Sequence, residues 1–347
     1  MIKPLEWKDG ILRILDQREL PERMVFLDLK NYRDVIEAIK SMKIRGAPLL
    51  GIASAFAIVL GVRELRKAGS REVLLRLTGI TKELLESRPT AVSIKRSVDR
   101  MLSVARENKD LSQKEISGIL LTEALKILEE DIEIGKSIGK AGVEVIKKGD
   151  KILTHCNTGA LATGGFGTAL GIIKTAHKMG LNPKVYVTET RPRFQGARLT
   201  TFELMKEGIP VTLITDSMVG YVFSKEKIAS VIIGADRIAA NGDTANKIGT
   251  YTIAVLAKEH GIPFYVAAPA STIDMDTPHG SQIKIEERDP LEVSEIHGKP
   301  ITPSGVNILN PAFDITPRQY IKGIITEAGI IKPPYREGIK LIKRGKL

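Results

Sequence analysis

The sequence predicts an α/β protein, with a mostly helical N-terminal domain containing short strands (residues 1–124) ahead of a doubly wound parallel-sheet domain (residues 125–347). From Lys151 onward, short apolar segments alternate with helical ones, which is typical of βαβ units. Before about Leu125, apolar residues recur mainly at helical spacing. A chain of 347 residues is long enough for two hydrophobic cores.

The N-terminal elements follow from local signals. The segment from Pro4 to Leu29 is typical of short strands, with a turn at Asp9-Gly10. Asn31 is a candidate helix cap, and Pro48 suits the first turn of a buried helix. Helical spacing predicts helices over 31–42, 47–62, 70–87 and 90–106, and a long helical region over 111–148 that breaks near one of its glycines.

The C-terminal elements follow from the alternation of strand and helix patterns. Strands are expected at 152–154, 184–187, 211–215, 231–233 and 264–267. Helices are expected at 168–179, 197–207, 218–226 and 247–260. Open α/β sheets bind ligands at the carboxyl ends of their strands. Those ends carry Cys156, Glu189 to Gln195, Asp216 to Met218, Asp236 and Ala267 to Ser271.

Composition restricts the partners and the compartment. The formal net charge is +11, but only 5% of residues are aromatic and basic residues alternate with acidic ones. A solvated basic surface or an anionic small substrate is therefore favoured over nucleic acid. Met1 to Asp9 lacks a signal-like apolar core, and the apolar run Ala47 to Val62 is short for a membrane span. We expect a cytoplasmic protein with no nucleic-acid or membrane partner, and its Ile-, Lys- and Glu-rich composition hints at a thermophilic source.

The stretch Lys151 to Gly171 combines a strand, a glycine-rich turn and a helix, which is a unit that can hold a phosphate. It contains the single cysteine of the chain, Cys156, directly after the strand. A thiol there is a candidate catalytic group, although a lone cysteine is also often a small buried hydrophobe. No protease-like motif accompanies it.

A second stretch, Val231 to Thr250, delivers Asp236 to the end of a strand. Its apolar neighbours favour the protonated carboxyl group. Capping of a following helix or pairing with Arg237 would explain an aspartate at this position equally well. We expect Asn246 and Lys247 to open the next helix, where the Lys247 ammonium would face an anion. A solvated lysine is the alternative.

Arg45 and Gly46 precede an apolar helix and form a third candidate site. A guanidinium beside a helix N-terminus favours an anion, and a glycine lets a ligand approach the backbone. A surface arginine and an ordinary turn are the alternative.

Gly165-Phe166-Gly167 resembles part of a dinucleotide fingerprint, but Leu170 stands where its third glycine is needed. No paired His or Cys spacing predicts a metal site, so we expect neither cofactor nor metal.

Long motifs along the whole chain resemble the methylthioribose-1-phosphate isomerases of the methionine salvage pathway. They are Arg45 to Pro48, Arg88 to Val92, Thr154 to Thr163, Glu189 to Thr200 and Gly234 to Tyr251. That family shares a superfamily with ribose-1,5-bisphosphate isomerases and the regulatory subunits of a translation-initiation nucleotide-exchange factor. The resemblance implies a helical N-terminal domain, a Rossmann-like C-terminal domain and a homodimer.

The resemblance also implies the reaction, in which 5-methylthioribose 1-phosphate becomes 5-methylthioribulose 1-phosphate. It assigns Asp236 as the proton donor to the ring oxygen and Cys156 as the second catalytic group. It leaves open whether a proton or a hydride moves between the two carbons. The substrate-binding positions that it implies are Arg45, Gly46, Ala47, Arg88, Gln195, Asn246 and Lys247.

The sequence departs from the family pattern at two places. Ser93 and Lys95-Arg96 follow the Arg88 motif where apolar residues are expected, and Arg193 replaces a bulky apolar residue. Both departures could alter specificity. Ribose-1,5-bisphosphate isomerase is one alternative function, although the stretch Thr158 to Leu161 favours the methylthio sugar. A non-catalytic regulatory subunit is another, which the joint presence of Cys156 and Asp236 disfavours.

Overall fold

The computed structural model describes residues 2–65, 69–88 and 92–343. They divide into two compact units. The first comprises the described residues up to Ile134 together with Gly159–Gly167, and the second comprises Gly135–Thr158 and the described residues from Thr168 onward. The predicted domain boundary after residue 124 stays a prediction.

The first unit begins with a small antiparallel sheet. Its strands, in spatial order, are β1 (Leu5–Lys8), β2 (Ile11–Leu15) and β3 (Phe26–Leu29). Asp9 and Gly10 join the first two strands with φ angles of 50° and 83°. The short strands and the turn predicted between Pro4 and Leu29 are thereby confirmed.

The helices of the first unit build its core. They are α1 (Tyr32–Lys40), α2 (Ala47–Arg63), α3 (Ser70–Ser87), α4 (Val92–Glu107) and α5 (Gln113–Gly142), the last of which continues into the second unit. Asn31 caps α1, since its side chain accepts from the Asp34 N–H at 2.9 Å. Helix α2 is buried on nearly all sides, as its continuous apolar sequence predicts. Helix α3 ends at Ser87, as predicted, and α5 ends at Gly142, which is one of the glycines in its predicted range.

The second unit contains a sheet of seven described strands. In spatial order they are β16 (Gly329–Ile331), β15 (Gly323–Thr326), β10 (Phe264–Ala267), β7 (Ile228–Ile233), β4 (Lys151–Thr154), β5 (Lys184–Thr188) and β6 (Val211–Ile214). All neighbours pair in parallel except β16, which is antiparallel to β15. The chain moves from β4 outward to β6 and then returns to β7 on the other side of β4. The predicted doubly wound sheet is confirmed, and its switch point lies between β4 and β7.

A smaller sheet adjoins the carboxyl end of β7 within the same unit. Its strands, in spatial order, are β11 (Ile273–Asp274), β8 (Arg237–Ala239), β9 (Thr244–Lys247) and β14 (Phe313–Thr316). A separate hairpin pairs β12 (Glu295–Ile296) with β13 (Lys299–Pro300). The helices of this unit are α6 (Ala169–Lys178), α7 (Thr201–Lys206), α8 (Val219–Lys225), α9 (Thr250–Glu259), α10 (Leu291–Ser294) and α11 (Tyr335–Lys343).

One helix prediction was wrong at its start. Asn246 and Lys247 do not open a helix; they end strand β9, and α9 begins only at Thr250. Ladder pairing of β9 with β8 and β14 overrides the local helical pattern. Within the part of the chain that the structure describes, no helix is long and apolar enough to cross a membrane.

Candidate active site

Cys156 lies just beyond the carboxyl end of β4, beside the switch point of the sheet. Its side chain is buried, and its backbone is left-handed with φ of 63°. Its N–H donates to Thr190 Oγ1 at 2.9 Å, and its carbonyl accepts from the Thr200 hydroxyl at 2.5 Å. A non-glycine residue needs such support to remain left-handed, so these bonds hold the Cys156 backbone in this conformation.

His155 is buried and joins the end of β4 to two other segments. Its Nε2 lies 2.9 Å from the Ile248 carbonyl oxygen, and its Nδ1 lies 2.5 Å from Thr188 Oγ1. A carbonyl can only accept, so Nε2 carries the proton and Nδ1 accepts from Thr188. Burial lowers the pKa of His155, which keeps the ring neutral, although the negative charge of Asp216 opposes this shift.

Asp236 lies in the turn between β7 and β8 and is half-buried. Its N–H donates to the Ala245 carbonyl at 2.9 Å. The residue precedes a strand and not a helix, so the helix-cap alternative is wrong. Arg237 forms an ion pair with Asp274 at 3.7 Å.

A close contact at the switch point joins the Cys156 loop to the Asp236 loop. A Cβ atom built on Gly234 would lie 2.5 Å from Thr158 Cγ2, so only glycine fits at this point. Gly234 is two residues before Asp236, and Thr158 is two residues after Cys156. The two candidate catalytic residues therefore belong to loops in direct contact.

In the segments that follow β4 and β5, two buried side-chain oxygens have no hydrogen-bond partner among the described atoms. They are Gln195 Oε1 and Thr158 Oγ1. Gln195 follows β5 and Thr158 follows β4, and these strands are neighbours. A buried polar atom is costly to leave unpaired, which is typical of a position that contacts a ligand. The predicted Gln195 therefore belongs to the edge of the sheet that carries Cys156, whereas sequence reasoning missed Thr158.

Asn246 and Lys247 are the last two residues of β9. Asn246 is buried and donates to Thr250 Oγ1 at 3.0 Å. The Lys247 ammonium donates to the Ala312 carbonyl at 2.9 Å and lies 4.7 Å from the centre of the Phe313 ring. The Lys247 side chain is thus held in place by its surroundings, and the solvated-lysine alternative is wrong.

Asp314 occupies the N-terminus of α9, where sequence reasoning placed no acidic residue. Its carboxylate accepts from the Gly249 N–H at 2.8 Å and from the Tyr251 N–H at 3.1 Å. Burial raises the pKa of Asp314 to about 6, although these hydrogen bonds favour the charged form. Asp314 is far from α9 in sequence and reaches it because β14 pairs with β9. No local sequence pattern could therefore have predicted this contact.

The Arg45 loop lies in the first unit. Gly46 has φ of 95°, and a Cβ atom there would lie 2.5 Å from the Cα of Ala162. Gln17 is buried in the same region, and its Nε2 donates a hydrogen bond to the Leu161 carbonyl oxygen at 2.7 Å. The close neighbour of Gly46 in this structure is the protein's own Ala160–Ala162 turn. The predicted approach of a ligand to the Gly46 backbone stays a prediction.

Arg88 lies beside the same loop. Its Nη1 is 3.2 Å from the Met42 sulfur atom, three residues before Arg45. The structure therefore groups Arg45, Gly46, Ala47 and Arg88 in the first unit, and it groups Cys156, Gln195, Asp236, Asn246 and Lys247 in the second. The meeting of these two groups around one substrate stays a prediction.

The departure at Arg193 has a structural explanation. The Arg193 guanidinium pairs with Glu292 at 3.2 Å, and Glu292 also pairs with Arg288 at 2.6 Å. An ionic contact to α10 thus replaces the expected apolar one. Among the described residues, no group of three or more His, Cys, Asp or Glu side chains could hold a metal ion.

Comparisons with known proteins agree with this architecture. Residues 43–333 match the model of the initiation factor 2 subunit family. The methylthioribose-1-phosphate isomerase of Carboxydothermus hydrogenoformans is 53% identical over 98% of both chains. The enzyme of the same name from Acetivibrio thermocellus is 51% identical over 98% of this chain and 99% of its own.

Solved structures give the same result. The 5-methylthioribose 1-phosphate isomerase of Pyrococcus horikoshii superposes with a TM-score of 0.93 at 40% identity, covering 99% of this chain and 96% of that one. An A. fulgidus protein described as translation initiation factor eIF-2B subunit delta gives 0.89 at 43% identity, covering 99% of this chain and 100% of its own. The chain therefore belongs to the initiation factor 2 subunit family and, within it, to the methylthioribose-1-phosphate isomerases.

Proposed function

We propose that the protein converts 5-methylthioribose 1-phosphate to 5-methylthioribulose 1-phosphate in methionine salvage. The reaction is an isomerisation, in which C2 is oxidised to a ketone while C1 is reduced to a methylene that keeps the phosphate. One hydrogen moves from C2 to C1, so no external oxidant or reductant is needed. The observation that carries this proposal is the contact at Gly234 and Thr158, which joins the loops of Asp236 and Cys156.

Asp236 is the proposed proton donor to the ring oxygen. The phosphate on the anomeric oxygen prevents spontaneous ring opening, so the enzyme has to break the bond between C1 and the ring oxygen. A carboxyl group that donates there must still hold its proton when the substrate binds. The position of Asp236, half-buried after the apolar strand β7, supports this role.

Cys156 is the proposed second catalytic group, which assists hydrogen transfer between C2 and C1. Its fixed left-handed backbone would keep the thiol at a constant distance from the substrate. Transfer as a proton through an enolate and transfer as a hydride remain alternative routes for the same residues.

The remaining predicted residues are proposed to bind the substrate. Gln195 and Asn246 would bind sugar hydroxyls, and the buried unpaired Oε1 of Gln195 supports this for an O–H donor. Lys247, Arg45 and Arg88 would bind the phosphate dianion, for which guanidinium and ammonium groups are suited. The backbone of Gly46 and Ala47 at the start of α2 adds N–H donors. We further propose a cytoplasmic homodimer.

A substrate comparison tests the proposal. Purified protein is given 5-methylthioribose 1-phosphate or ribose 1,5-bisphosphate, and ketose formation is followed by NMR. Turnover of the first compound alone is expected. Turnover of the bisphosphate alone would instead assign the chain to the ribose-1,5-bisphosphate isomerases. If the folded protein turned over neither compound, a regulatory subunit would be favoured, which is what the name of the A. fulgidus protein describes.

A further inference from the structure

Beneath Cys156 lies a buried ion pair that the proposed reaction does not use. The Lys174 ammonium, on α6, is 3.0 Å from Glu203 Oε2, on α7, and both side chains are at most 5% exposed. A buried ion pair seldom stabilises a fold as well as apolar residues of the same volume would. Its presence directly behind the candidate active site therefore calls for another explanation.

Hydrogen bonds connect this ion pair to Cys156. Asn157 Nδ2 donates to Glu203 Oε1 at 2.9 Å and to Thr200 Oγ1 at 3.2 Å, and the Thr200 hydroxyl donates to the Cys156 carbonyl at 2.5 Å. An ammonium can only donate and a carbonyl can only accept, so every link has one possible direction. Such a chain cannot rearrange without leaving a buried group unpaired.

The other side of Cys156 is held in a similar way. Its N–H donates to Thr190 Oγ1, and the Thr190 hydroxyl donates to the Thr188 carbonyl at 3.1 Å. Thr190 is itself left-handed, with φ of 64°, which is unusual for a β-branched residue. The Asp216 carboxylate fixes it by accepting from the N–H groups of Thr190 and Arg191 at 2.8 and 2.7 Å.

We propose that Thr190 and Thr200 are positioning residues for Cys156. Their hydroxyls hold the peptide groups on either side of its Cα atom in the left-handed conformation, and the Lys174–Glu203 pair fixes Thr200 through Asn157. The predicted effect on turnover rests on the proposed function, whereas the predicted effect on the accessibility of the Cys156 thiol does not. Strained backbone at active sites persists only where surrounding contacts determine it, and here both contacts are threonine hydroxyls.

The test compares Thr200→Val with Thr201→Val. The neighbouring Thr201 hydroxyl donates to the Ala197 carbonyl in the helical turn just before α7, away from Cys156, and provides a matched control. Thr200→Val is expected to lower kcat about tenfold or more with little change in KM, because a small misplacement of a reacting group reduces the rate strongly. Thr200→Ser should restore kcat, and Thr201→Val should match wild type.

A second readout needs no substrate. The chain has one cysteine, so alkylation by iodoacetamide, followed by mass spectrometry, reports Cys156 alone. Faster alkylation of Thr200→Val than of Thr201→Val is expected, because the released backbone exposes the thiol. Equal alkylation rates and equal kcat for these two variants would overturn the inference. If Thr200→Val does not fold, Thr190→Val is judged by the same readouts.

Full activity of Cys156→Ser would refute the catalytic role of the thiol and would leave the positioning of Cys156 to be judged by the alkylation rates.

Discussion

The Nε2–H of His155 donates to the carbonyl oxygen of Ile248 at 2.9 Å. This bond ties the residue before Cys156 to the residue after Lys247, which are far apart in sequence. It therefore fixes the end of β4 relative to the end of β9 and to the start of α9. The neutral ring has no further role in the proposed reaction, so its effect should be on stability.

Replacement of His155 by phenylalanine should lower the free energy of unfolding by about 1–3 kcal/mol, because the Ile248 carbonyl and the Thr188 hydroxyl lose a buried partner. Urea unfolding measures this change. His260→Phe is the control, since His260 is exposed just after α9 and its ring packs edge-on against Phe223. Equal stability of the two variants would contradict the bridging role.

Gly46→Ala should destabilise the protein by more than about 1 kcal/mol, because L-residues are strained at its φ of 95° and a Cβ atom would overlap Ala162. Gly118→Ala, at an open position in α5, should instead stabilise it by roughly 0.5–1 kcal/mol. Thermal unfolding of both variants checks the difference. A neutral Gly46→Ala variant would show that the loop can move away from Ala162.

The Lys174–Glu203 pair predicts non-additive stability. Lys174→Met alone should cost about 3–5 kcal/mol, since it leaves the Glu203 carboxylate buried without its cation. The double variant Lys174→Met/Glu203→Gln should recover most of that loss, because no net charge remains buried and glutamine can still accept from Asn157. A double-mutant cycle by urea unfolding measures the coupling. Simple additivity would mean that the two side chains do not interact.

Asp131 predicts a pH dependence of stability. Its carboxylate accepts from the Gly164 N–H at 2.6 Å, and burial raises its pKa from 3.8 to about 6. Between these values the folded state keeps a proton that the unfolded chain loses. The contribution of Asp131 to the free energy of unfolding therefore falls by up to about 3 kcal/mol as pH rises from 4 to 7.

Asp131→Asn removes that titration, so its stability relative to wild type should increase over the same pH interval. Unfolding free energies at pH 4, 5, 6 and 7 check this. The control is Asp28→Asn, because the exposed Asp28 pairs with Arg13, which lowers the pKa of its carboxyl group. A constant difference between Asp131→Asn and wild type would contradict the raised pKa.

Local patterns were sufficient to predict most of the fold. The capping residue Asn31 and the turn at Asp9-Gly10 act through neighbours in sequence, so they could be read directly. The apolar parallel strands β4, β5, β7 and β10 are largely buried whatever their partners are, whereas the edge strand β6 is mostly exposed. Asn246 and Lys247 were misassigned because strand pairing with distant residues decided their conformation.

The candidate site was predictable only in part for the same physical reason. Cys156 and Asp236 follow apolar strands, and a sheet brings such positions to one edge. The supporting residues have no comparable signal. Glu203 and Lys174 resemble ordinary charged helix positions, and only their burial against Asn157 distinguishes them. Asp314 likewise meets α9 through the tertiary fold alone.

Turnover of 5-methylthioribose 1-phosphate by Asp236→Asn and Cys156→Ser tests the central claim most directly. The control is Asp276→Asn, an exposed acid in the same unit. Each site variant should fold and lose about a hundredfold to ten-thousandfold in kcat, the usual effect of removing a positioned acid or base. The control should retain wild-type kcat. Wild-type turnover by either folded site variant would contradict the catalytic role of that residue.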